Sequence, residues 1–135
     1  MNSQKSLWGD LSKPDIVRTP FTILKEQAAI LSEATDGLLV GDVRRIQNQE
    51  KQNIELRVVA PSLDNYRYSI LSVIHDIKLY PLSLNNLAND TYHRQCDSEE
   101  AFEQALGEIL SSPEVRKVIS TLLSEINAGT DKLPF

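Results

Sequence analysis

The apolar positions of the chain change their spacing twice. From Pro20 onward, Phe21, Leu24, Ala28 and Leu31 recur at intervals of three and four, and Ile23, Ile30 and Ala34 widen the stripe. That spacing makes one broad helical face, which another layer must cover. Thr19 can cap the first turn, and Pro20 suits the first helical position, where its missing N–H is no loss. Gly37 supplies the left-handed residue that stops a helix, so the pattern predicts a helix over 20–36.

From residue 38 the period falls to two. Leu38–Ile46 predicts a first strand and 47–53 a polar turn. Ile54, Leu56 and Val58 then alternate with Glu55 and Arg57. After the loop Pro61–Asn65, Tyr66, Tyr68 and Ile70 alternate with Arg67 and Ser69, until Leu71, Val73 and Ile74 make both faces apolar. Lys78–Ser83 predicts a short last strand, and Pro81, which cannot donate to a ladder, places it at an edge. Residues 38–84 thus predict an antiparallel meander of three or four strands, followed by a polar loop over Asn85–Gln95.

The helical period then returns. Asp97 with Glu100 three residues on has the form of a capping box. Phe102, Ala105, Leu106, Ile109 and Leu110 form a stripe, with Glu99, Glu100, Glu103 and Glu108 opposite. Ser112 and Pro113 restart the chain as cap and first helical residue. Val115, Val118, Ile119, Leu122, Leu123 and Ile126 form a second stripe, and Gly129 ends it. Two helices are expected over 97–128 and a tail over 129–135. Residues 1–19 show no period. Their apolar members Leu7, Trp8, Leu11, Ile16 and Val17 predict an irregular lead-in lying on the domain, with Trp8 packed. The expected whole is a single α+β domain over 1–135: the meander covered on one face by the N-terminal helix and the C-terminal helical pair.

Composition agrees. Among 135 residues 41% are hydrophobic and 24% charged, enough for a core without metal or crosslinks. One cysteine, Cys96, excludes an intrachain disulfide. No apolar run approaches the roughly 20 residues of a membrane helix. The first residues lack the apolar core of a secretory leader. The expected compartment is the cytoplasm, with no membrane partner. The net charge of −5 is uneven: eight acids face three bases from Asp97 onward, while residues 1–96 are neutral. An acidic end repels phosphates, so nucleic acid is not the expected partner.

Candidate chemistry is sparse. With five glycines, the chain has neither a phosphate-binding glycine motif nor a nucleophile elbow. His93 and Cys96 have the spacing of two metal ligands, but a structural zinc site takes four, and no metal or cofactor is expected. Cys96, just before a helix start that would lower its pKa, with His75 or His93 as base, is the sharpest catalytic grouping. A second candidate is the sheet face bearing Glu55, Arg57, Arg67 and Ser69, with Arg44 and Arg45 near and Tyr66 and Tyr68 adding aromatic area. No catalytic residue is assigned. The expected function is non-enzymatic protein–protein interaction, by self-association as a homodimer or with another protein, as an adaptor, antitoxin-like or defence-associated component. The alternatives are a small hydrolase or nuclease using His75, His93 and Cys96 or the arginine face, and a ligand-binding domain with a pocket between sheet and helices.

Overall fold

A computed structural model describes residues 5–12, 15–46, 50–89 and 92–130. The chain runs α1 (Pro20–Ala34), β1 (Val40–Ile46), β2 (Gln52–Ala60), a short 3-10 turn (Pro61–Leu63), β3 (Tyr66–His75), β4 (Leu82–Asn86), β5 (Tyr92–Cys96), α2 (Glu99–Leu110) and α3 (Pro113–Thr130). The strands form one open antiparallel sheet in the order β1-β2-β3-β4-β5. This is an α+β fold with five strands, more than the three or four expected.

The additional strand lies in the stretch read as a polar loop. In β4, Leu82, Leu84 and Asn86 are buried in alternation. Asn86 closes the turn that follows: its Oδ1 accepts from the backbone N–H of Ala88 (3.0 Å) and of Asn89 (3.2 Å). β5 is held by its ladder to β4 and has little apolar patterning of its own. Pro81 stands in the turn before β4, and β4 lies between two neighbours, so the expected proline-bearing edge strand is absent.

Register decides which side chains share a face. Gly41, Val43 and Arg45 of β1 lie opposite Val58, Leu56 and Ile54 of β2. Across β2 and β3, Leu56 pairs with Leu71 but Arg57 pairs with Ser69, which leaves Ile70 as a bulge. The bulge moves the inward positions from Tyr66 and Tyr68 to Leu71, Val73 and His75. That shift is why the sequence of β3 turns apolar at successive residues.

The helices supply Ile23, Leu24 and Ala28 from α1, Phe102, Ala105, Leu106 and Ile109 from α2, and Val115, Leu122 and Ile126 from α3 to the core. They do not act as a single helix plus a pair. α1 lies along β1, α2 along β5, and α3 crosses back towards the 3-10 turn. Ends also differ from expectation. Thr19 caps α1 as predicted, accepting from Thr22 N–H at 3.2 Å, but the helix stops at Ala34, and Asp36 and Gly37 take the left-handed turn. Ser98, not Asp97, caps α2. Ser112 caps α3, which continues through Gly129. The rest of the expected tail, 131–135, lies outside the described residues.

The lead-in does not pack on the domain. Leu7 is 90% exposed, Trp8 80%, Leu11 63%, Ile16 88% and Val17 59%. No helix among the described residues is long and apolar enough to cross a membrane.

Helix α1 and strand β1 come very close at Gly41, whose N–H donates to Ser32 Oγ at 3.2 Å. A Cβ at this position would stand 2.7 Å from the Ala28 carbonyl oxygen and 2.6 Å from the Ala28 methyl carbon. Gly41→Ala must therefore push α1 off β1. The expected loss in urea denaturation is about 3 kcal/mol. A change within about 0.5 kcal/mol, typical of a surface site, would contradict this packing.

Candidate functional site

The three residues proposed for nucleophilic chemistry do not converge. His75 ends β3 on the helix-covered side and is 6% exposed. Its Nδ1 lies 2.7 Å from the Asp76 carbonyl oxygen, which only accepts, so Nδ1 is the donor of that hydrogen bond. His93 lies on the opposite face of the sheet, in register with Asn85, whose Oδ1 is 2.5 Å from the His93 Nδ1. Cys96 faces the helices on β5, with β4 between it and β3; two strand spacings are roughly 9–10 Å. The thiol is 1% exposed, and burial pushes its pKa up, offset in part by Arg94. Burial therefore reverses the expected lowering, and Ser98, not Cys96, meets the first N–H groups of α2. Among the described residues no group of three histidine, cysteine or carboxylate side chains could hold a metal ion.

The arginine face is divided and largely neutralised. Arg57 pairs with Asp42, and Arg44 with Glu55 at 2.8 Å, all on the face away from the helices. Burial raises the pKa of the Glu55 carboxyl, but hydrogen bonds from Ser69 and Arg44 outweigh it and hold it below the ordinary carboxylate range. Arg45 belongs to the other face, where its guanidinium stacks 3.9 Å from the Phe21 ring centroid on α1. Tyr66 and Tyr68 also point to the helix side, in register with Ala60 and Val58. Arg67 stays exposed.

Three of the four acids on the outer face of α2, Glu99, Glu103 and Glu108, are paired within the chain. Arg18, at the root of the lead-in, binds Glu26 of α1 at 2.5 Å, Glu99 at 2.8 Å and Glu103 at 2.6 Å. Arg94 binds Glu108 at 2.9 Å. Sequence reasoning had no means to find Arg18, whose partners on α2 are more than eighty positions away.

The described residues also form concavities. One of about 430 Å³ lies beyond the N-terminus of α1 and includes Thr19, Arg45, Gln52 and His75. A second, of about 440 Å³, opens between α1 and α3 over Leu56, Val58 and Ile70. A third, about 580 Å³ and larger than these two, runs between α3 and the start of β3. Leu63, Tyr66, Tyr68, Ala88, Val118 and Leu122 form its walls, with Glu114, Lys117 and Glu125 at the rim. Its walls are mainly apolar and aromatic, and its carboxylates and its lysine stand at the rim.

No family model, curated protein or solved structure matches the chain. The functional reading rests on the geometry.

Two measurements test these assignments. Cys96 is expected to react with an aromatic disulfide only as fast as the chain opens, and at the rate of a free thiol in denaturant; rapid stoichiometric labelling of the native chain would contradict its burial. Glu55 contributes stability that is present above its unfolded pKa, about 4.3, and is lost as the pH falls through its lower folded value. Glu55→Gln should therefore show a shallower loss of stability on acidification than the parent chain. Parallel pH profiles would contradict the depressed carboxyl.

Proposed function

We propose that the chain is a non-enzymatic protein–protein interaction module that works by self-association or by docking on another protein. One observation carries this reading: five apolar side chains of the N-terminal arm are left in water while the root of the arm is clamped by Arg18 to both α1 and α2. Scattered apolar residues on a surface need no explanation, but five large ones exposed within eleven positions, the sole tryptophan among them, suit an interaction segment. Tryptophan and leucine in such a segment supply contact area that only a partner can bury. An adaptor, antitoxin-like or defence-associated role in the cytoplasm is consistent with this use of the arm. The lone buried thiol is also suited to a reducing compartment.

The hydrolase or nuclease alternative needs His75, His93 and Cys96 in one place, and no observation favours it.

The test is capture from the lysate of the native cell on the tagged full chain, beside a Leu7→Asp/Trp8→Asp variant. Both sites are exposed, so the variant should keep its stability within about 0.5 kcal/mol. The parent chain is expected to retain a stoichiometric protein, its own second copy included, and the variant to lose it. Equal retention by both, or a parent chain that binds nothing and stays monomeric, would contradict the reading.

A further inference from the structure

We infer that the arm of one copy docks in the groove between α3 and β3 of a second copy, so that two chains exchange arms about a two-fold axis. This rests on the interaction reading above and names its partner.

The groove and the arm each lack what the other offers. The walls of the groove are aromatic and aliphatic, with Tyr66 still 50% exposed. The arm presents Leu7, Trp8 and Leu11 to solvent. Charges match as well. At the rim, Lys117 stands between Glu114 and Glu125, and none of the three has an ion-pair partner among the described residues. Glu99, Glu103 and Glu108 of α2 are, by comparison, paired within the chain, while Glu100 is not among the described residues' ion pairs. On the arm, Lys5 and Asp10 flank the Leu7-Trp8 pair. Asp10 is held ionised below the ordinary carboxylate range by hydrogen bonds from the Ser12 hydroxyl and N–H. Laid along α3, Asp10 meets Lys117 while Lys5 meets a rim glutamate.

The fold favours exchange over docking within one chain. Thr19, where the arm joins α1, shares a cavity with His75, so the arm leaves the domain at the His75 end of β3. The groove lies at the Tyr66 end of the same strand. Nine residues separate these positions, roughly 30 Å along a strand. A left-handed turn at Gly9 and the Asp10–Ser12 bonds shorten the path between Trp8 and Thr19. A two-fold pairing meets the same requirement reciprocally, each copy giving one arm and receiving one, which is the commonest form of closed assembly.

Trp8 is the only tryptophan, so its emission reads the occupancy of the arm directly. The full chain is measured over a concentration series by sedimentation velocity and tryptophan fluorescence. Expected is a dimer whose formation shifts Trp8 emission to the blue with the same midpoint. Trp8→Ala should weaken the dimer by roughly 30-fold or more, as loss of a central aromatic anchor does. Lys117→Asp should weaken it, and Asp10→Lys in the same chain should restore it, with circular dichroism showing each variant folded. Several results would overturn the inference: a monomer at all concentrations, whether Trp8 is shielded or exposed; a dimer that leaves Trp8 emission unchanged; or no rescue by the charge exchange. A monomer that still captures another protein through its arm overturns this inference and leaves the interaction reading standing. Arm variants that capture the same partner overturn that reading instead.

Discussion

The register of β2 is the constraint on which the rest depends. Ile54, Leu56, Val58 and Ala60 all face the helices, and β2 is fixed on one side by β1 and on the other by β3. A slip of one residue would turn Glu55 and Arg57 inward and the aliphatic row outward. Burying an unpaired carboxylate or guanidinium costs several kcal/mol, so the slip is closed off. With that row fixed, α1 lies along β1, and at Gly41 the missing Cβ leaves room for Ala28. The outer face can then carry charge safely, in the pairs Asp42–Arg57 and Arg44–Glu55. The bulge at Ile70 is part of the same solution, because it lets both Tyr68 and Leu71 of β3 face inward.

That economy bears on function through what it leaves over. The core takes its apolar residues from the strands, from one face of each helix and from Leu39 in the connection between α1 and β1, and none comes from the described arm. α3 touches the 3-10 turn and α2 more than it touches the strands, so open grooves remain on both of its flanks. The reactive groups, in contrast, are placed apart: one imidazole on each face of the sheet and the thiol under α2. A catalytic site requires groups within hydrogen-bond reach of one another. These three groups are not so placed.

Long periodic elements were legible in the sequence, because packing and pattern agree there. The stripes of α1, α2 and α3 and the alternation of β2 and β3 were all readable. β4 and β5 were not, since Asn85, Asn86 and Asn89 carry the composition of a loop while Asn86 serves as the side-chain cap of a hairpin turn. Arg45 was readable in principle: two positions beyond Val43 in the same strand, it shares the inward face, and Phe21 waits there to receive it. Arg18 was not, because contacts across α1 and α2 leave no local signal. The lead-in misled in the opposite direction, for apolar composition predicts burial but does not say against which chain.

Hydrogen exchange read by mass spectrometry at low protein concentration tests the account most directly. It should find the slowest amides in Ile54–Ala60 and Leu71–His75, where register and core coincide, and exchange at the unprotected rate in residues 5–12. Strong protection of the arm in the dilute chain, or rapid exchange along β2, would contradict the claim that the domain is complete without its arm.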